Sequence, residues 1–103
     1  MSDLNLEKYT KEKRDREKNK KRCYKNILTQ VNTMITNSMD RHNNSISYEI
    51  PVFIFGEVDY DPTESALYVV KKLTKHVIFK RIMTNIKILE PNILYIEWDI
   101  SKI

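Results

Sequence analysis

Residues 45–70 read SISYEIPVFIFGEVDYDPTESALYVV, and within this stretch the apolar period changes from two to between three and four. Ile46, Tyr48, Ile50, Val52 and Ile54 alternate with Ser47, Glu49, Pro51, Phe53 and Phe55, which predicts a strand. The second set turns aromatic at its end, so both faces are expected to be covered there. Pro51 has no N–H to offer a ladder, which points to an edge strand or an outward position. Gly56 closes the strand and opens an acidic loop, Glu57-Val58-Asp59-Tyr60-Asp61. A helix start follows at Asp61-Pro62-Thr63-Glu64: Asp61 as cap, Pro62 at the first helical position, Glu64 reaching back as in a capping box. Ala66, Leu67, Val70, Leu73 and Val77 form its expected buried stripe, with Lys71, Lys72 and Lys75 mainly opposite. Val77-Ile78-Phe79 is β-prone and the stripe fails at Lys80, Arg81 and Thr84. The helix is therefore expected to stop near His76 rather than run on to Met83.

Upstream, Tyr24, Ile27, Leu28, Val31, Met34, Ile35 and Met39 recur by threes and fours. They predict an amphipathic helix to about Ser38, ended by the polar run Asp40-Arg41-His42-Asn43-Asn44-Ser45. Downstream, Ile86 to Leu89, Glu90-Pro91-Asn92 and Ile93 to Asp99 read as strand, tight turn, strand. Leu94, Ile96, Trp98 and Ile100 form one apolar face there. The order is α-β-α-β-β. The expected fold is α+β in two layers, a small three-stranded mixed sheet covered by two helices, with the strands before and after the second helix parallel.

The chain has 103 residues, 18 Lys+Arg and 14 Asp+Glu, for a formal charge of +4. Ten bases and five acids lie in residues 1–25, and eight bases and nine acids in the rest. All the excess positive charge is thus in the leader, which has no apolar residue between Tyr9 and Cys23 and must be solvated. It has no Pro or Gly either, and Glu7/Lys11, Glu12/Arg16 and Glu17/Lys21 sit four apart with the acid first. Residues 1–22 are expected to be a charged helical extension, fraying towards Met1, and residues 23–103 one domain. One Gly is too few for a phosphate-cradling loop, and one Cys is too few for a disulfide framework or a thiolate zinc knuckle. No apolar run approaches the length that spans a bilayer. The start lacks the plan of a signal peptide, so an intracellular protein is expected.

Tyr24-Lys25-Asn26-Ile27-Leu28, Glu49-Ile50-Pro51 and Pro91-Asn92-Ile93-Leu94-Tyr95-Ile96-Glu97-Trp98 resemble a small uncharacterised protein family of nucleocytoplasmic large DNA viruses, mimivirus-like. Ser47 to Gly56 and Lys71-Lys72-Leu73 fit the same family, and the resemblance covers roughly residues 23–99. Glu97 departs from the family's usual Ser before the terminal Trp, and the segment from His76 to Asn85 is longer than the family's link. The resemblance implies a viral setting, host cytoplasm or virion, and transfers no active site.

Function must then be sought in charge. Lys11, Lys13, Arg14, Arg16, Lys18, Lys20, Lys21 and Arg22, with Lys71, Lys72 and Lys75, could meet nucleic-acid phosphates or an acidic partner. The competing reading is a solvated helix balanced by its own acids. Glu57, Asp59 and Asp61 could gather a divalent cation for hydrolysis, against a helix cap and a solvated loop. Cys23, His42 and His76 could be ligands or a nucleophile with its base, but they are far apart in sequence. Tyr48, Phe53, Phe55 and Tyr95 could stack bases, but they lack the glycine and basic residues of that signature, which favours core packing. The heptad-like stripe of the first helix could be a dimer seam, or simply packing against the chain's own sheet. The expectation is a non-enzymatic binding module with a basic arm, without cofactor, metal or membrane contact. The alternative is a structural or oligomeric component of a viral assembly, with a metal-dependent hydrolase as an outlier.

Overall fold

The computed structural model describes residues 2–103, with side chains from Leu6 onward. Met1, and the fraying expected towards it, lie outside the described residues. Helix α1 runs unbroken over Ser2–Asp40, about 58 Å at 1.5 Å per residue, and accounts for most of the molecule's 64 Å length. It ends two residues beyond the expected Ser38. His42 takes a left-handed φ of 63°, the amide of Asn43 donates to the carbonyl of Ser38 at 2.8 Å, and that of His42 to Met39 at 2.9 Å. This paired closure is the usual one at helix ends, with His where Gly is commoner.

Strand β1, Ser45–Glu49, follows, then helix α2, Pro62–Lys75, and a one-turn helix α3, Phe79–Ile82. Strands β2, Met83–Leu89, and β3, Ile93–Trp98, form the closing hairpin, and a 3-10 turn occupies Ile100–Lys102. The class is α+β, as expected. β1 and β2 do point the same way, but each pairs antiparallel with β3 between them, in the order β1-β3-β2. The sheet is therefore purely antiparallel rather than mixed, because the hairpin places β3 centrally and leaves β1 its other edge.

The core is the inner sheet face against α1 and α2. Ile46, Tyr48 and Ile50 join Leu94, Ile96 and Trp98 from the sheet, Tyr24, Ile27, Val31 and Ile35 from α1, and Ala66, Val69 and Leu73 from α2. The stripe read from α1 is buried as expected, and it packs against this chain's own sheet. In α2 the buried face is turned by about a fifth of a turn. Ser65 and Val69 are inside, while Leu67 and Val77 are exposed. Small Ser65 and Ala66 let the helix approach closely, which a reading by hydrophobicity alone overlooks.

The first strand is shorter than its alternation suggests. Pro51 ends the ladder, and beyond it Val52, Phe53 and Phe55 are exposed instead of covering two sheet faces. Ile50 is still held, its amide donating to the Asn92 carbonyl at 2.8 Å and its carbonyl accepting from Asn92 Nδ2 at 2.7 Å. α2 stops at Lys75, as expected. The β-prone segment after it becomes α3, whose Phe79 amide donates to His76 Nδ1 at 3.1 Å.

Candidate nucleic-acid interface

The leader is helical and its side chains from Leu6 to Asn19 are exposed, Leu6 and Tyr9 among them, and from Thr10 to Asn19 there is nothing apolar to bury. Contact begins about two turns before the core. Lys20 Nζ lies 3.5 Å from Glu64 Oε2, Arg22 Nη2 donates to Glu57 Oε1 at 2.9 Å, and Arg16 Nε stands 4.0 Å from Asp59 Oδ2. The acidic loop thus lies along one flank of α1 and clasps it from Arg16 to Arg22. Tyr24 adds a hydroxyl that donates to Glu64 Oε2 at 2.7 Å. The i,i+4 pairs read from sequence do not close within 4.0 Å: Glu17 meets Lys20 at i,i+3 instead, and Arg16 faces Asp59.

The loop's geometry follows from its own signals. Gly56 takes a φ of 81°, which glycine adopts without penalty. Asp61 caps α2, accepting from the amides of Thr63 at 2.8 Å and Glu64 at 3.2 Å. Glu64 does not reach back to the cap; Tyr24 and Lys20 hold it. Tyr60 donates to the Pro51 carbonyl at 2.7 Å and its ring packs 5.9 Å from that of Tyr24. Burial is the main cause that pushes the Tyr24 hydroxyl well above the ordinary tyrosine range, with the Glu64 carboxylate adding to it. Lys20 loses some proton affinity to desolvation, but Glu17 and Glu64 more than restore it, leaving its ammonium raised.

These pairings redirect the carboxylates. Glu57, Asp59 and Glu64 each face a cation of α1, and among the described residues no three His, Cys, Asp or Glu gather as a metal site. Cys23 is buried and burial pushes its thiol up, the reverse of an activated nucleophile. His42 follows α1, and His76 is the C-cap of α2 with its Nδ1 engaged by the Phe79 amide; among the described residues neither hydrogen-bonds Cys23. Tyr48 is in the core and donates to Gln30 Oε1 at 2.6 Å. Tyr95 is on the outer sheet face beneath Lys87, 5.6 Å from its ring centre. Phe53 and Phe55 are on the exposed loop, so the four aromatics share no surface.

The side of the leader turned away from the domain carries a pattern that net charge does not reveal. Lys11, Arg14, Lys18, Lys21 and Lys25 are spaced three, four, three, four, and all are exposed. On a 3.6-residue helix that spacing aligns them in one row about 21 Å long, with Glu7 continuing it at the outer end and Asp15 and Glu17 along its flanks. Arg16 and Lys20 lie instead on the clasped flank, Arg22 at the row's edge, and Lys13 on the domain side. Lys71, Lys72 and Lys75 stand apart, on the last turns of α2. Lys72 lies 5.5 Å from the Tyr68 ring centre, and Tyr68 packs on Tyr24 at 5.9 Å. Of the eleven cations named from sequence, Lys11, Arg14, Lys18 and Lys21 join Lys25 in the outer row, Arg16, Lys20 and Arg22 are clasped, Lys71, Lys72 and Lys75 lie on α2, and Lys13 belongs to none of these groups.

Among the described residues no helix is long and apolar enough to cross a membrane. No curated protein and no solved structure matches the chain. One family model does match, over residues 4–74, spanning the leader, the acidic loop and α2 but not the closing hairpin. With more than half its length in that match, the chain belongs to the family of unknown function DUF5759.

Proposed function

We propose that the protein is a non-enzymatic binding module whose helical arm lies along a nucleic-acid backbone. The observation that carries this is the aligned row of Lys11, Arg14, Lys18, Lys21 and Lys25 on the solvent side of α1. At about 21 Å it runs past roughly six phosphates at the ~3.4 Å spacing of one strand. The clasp by Glu57, Asp59 and Glu64 supports the reading by pairing Arg16, Lys20 and Arg22 internally, so that the helix carrying the outer row is held in a fixed orientation. Fixed bases lose less side-chain and chain entropy on binding than a loose tail would. On the resemblance of Glu49-Ile50-Pro51 and the closing Pro91-to-Trp98 run, the setting we propose is the host cytoplasm or the particle of a large DNA virus.

The test is a salt titration of the full chain against a labelled oligonucleotide. Affinity should fall steeply with salt, and changing the five row residues to Gln should flatten the slope of log K against log salt by about 3.5 to 4.5. Binding that is absent, or indifferent to salt, removes the reading. A second reading, docking into a larger viral assembly, is favoured by exposed Leu67, Val77 and Ile78 on and after α2. It requires a stable oligomer or a stoichiometric partner, and a clean monomer by light scattering that recruits neither would end it.

A further inference from the structure

Phe53 and Phe55 are 72% and 95% exposed, and Val58 is 94% exposed. Three large apolar side chains on a six-residue loop segment are costly to leave in water. Their position is set by Glu57, which bonds Arg22 at 2.9 Å. Arg22 stands at the edge of the basic row, next to Lys18 and Lys25 on the helix surface. Phe55 is two residues from Glu57, its Cα within about 7 Å of that of Glu57, so the exposed aromatic segment begins close to the point where the loop meets Arg22.

We infer that Phe53 and Phe55 stack the bases of a single-stranded nucleic acid whose phosphates run along Lys11, Arg14, Lys18, Lys21 and Lys25; this rests on the arm reading proposed above. A single strand separates a charged backbone from neutral rings, and the protein separates a line of bases from a pair of aromatic faces in the same way. A duplex offers its rings to neither phenylalanine, because they are stacked inside. The tip's own carboxylates, Glu57 and Asp59, face Arg22 and Arg16, so the strand's phosphates must follow the outer row while only its neutral bases meet the loop. Stacking on an exposed ring serves any base, so the expected preference is for strandedness rather than sequence.

The experiment measures anisotropy of fluorescein-labelled oligothymidine, of about 20 nucleotides, and of a duplex of equal length with the full chain. Wild type should favour the single strand, and the F53A/F55A variant should lose about tenfold or more on it while keeping its duplex affinity. F55W should restore binding, because any aromatic face stacks. Both rings are exposed, so thermal unfolding of the variants should match wild type. Equal single-strand affinity in F53A/F55A, or equal loss on both oligonucleotides, overturns the inference and leaves the arm reading intact. Failure of wild type to bind either oligonucleotide overturns both. Binding to phosphatidylserine-containing vesicles that depends on the two rings, with no ring effect on oligothymidine, assigns the loop to a membrane surface and also overturns it.

Discussion

Val31 and Lys18 stand on the same uninterrupted helix, one with no surface left to water and the other wholly exposed. The C-terminal half of α1 is held by tertiary packing: Ile27, Val31 and Ile35 lie in the core beside β1, β3 and α2. The N-terminal half has no such neighbours. Its Lys-, Glu- and Arg-rich composition favours helix residue by residue, and it is spared the unfavourable nucleation step because the packed half supplies the first turns. A short charged sequence that would be marginal alone becomes a rod by extension of a buried helix. Stability belongs to one half and surface chemistry to the other.

The sharpest way to break that comparison is to make matched changes in each half. Ile27→Ala should destabilise by about 2 to 5 kcal/mol, since it empties a fully enclosed site. The five-residue Gln variant of the outer row should shift the urea midpoint hardly at all, as is usual for surface positions. A row variant that unfolds as readily as Ile27→Ala would show that the leader is integral to the fold rather than an extension of it.

Tyr24 marks the boundary between the halves, and its loss should have a smaller effect. Its hydroxyl bond to Glu64 ties α2 to α1, but Glu64 is half exposed, so Tyr24→Phe should cost only about 1 kcal/mol. The pH dependence is more diagnostic. The folded-state pKa of Tyr24 is raised above the ordinary value of about 10, so above that pH the native state retains a proton that the unfolded chain has lost. Its contribution is complete below about pH 10 and declines as pH rises towards the folded value. Denaturation curves at increasing alkaline pH should show that decline in wild type and a shallower one in Tyr24→Phe. Identical slopes would mean that the buried hydroxyl is not what couples the clasp to the core.

Most of the architecture was legible because it rests on local periods and caps. The apolar stripe of α1, the Asp61-Pro62 start of α2, its stop before His76 and the Glu90-Pro91-Asn92 turn each follow from residues close in sequence. Three features did not. The strand ended at Glu49 although alternation continued to Ile54, because one missing N–H at Pro51 outweighs a hydrophobic pattern. The face of α2 was misplaced because Ser65 is buried for its size, not its polarity. The acidic loop's partners lie 35 to 44 residues away in sequence, and periodicity carries no information about such distant pairing. The outer basic row was available in the spacing of Lys11, Arg14, Lys18, Lys21 and Lys25, and total charge concealed it.

The clasp itself gives the smallest energetic effect and the closest comparison, because Lys18 and Arg22 are one turn apart on the same exposed stretch. Lys18→Gln removes a charge from the outer row and touches nothing in the fold. Arg22→Gln removes the 2.9 Å bond to Glu57. An exposed pair of this kind contributes less than about 1 kcal/mol, so neither change should move the unfolding midpoint appreciably. Local opening should separate them. With the loop released from Arg22, amides from about Glu12 to Arg22 should exchange faster in Arg22→Gln than in Lys18→Gln, since few other contacts oppose opening there. Raising the salt concentration should bring wild type towards the Arg22→Gln pattern, because screening weakens surface pairs. Oligonucleotide binding should respond in the opposite order. Lys18→Gln should lose close to one unit of salt slope, while Arg22→Gln should lose affinity mainly through a looser arm, at nearly constant slope. If the two variants exchanged alike and bound alike, the acidic loop would be an incidental neighbour, and the leader would owe its orientation to the helix alone.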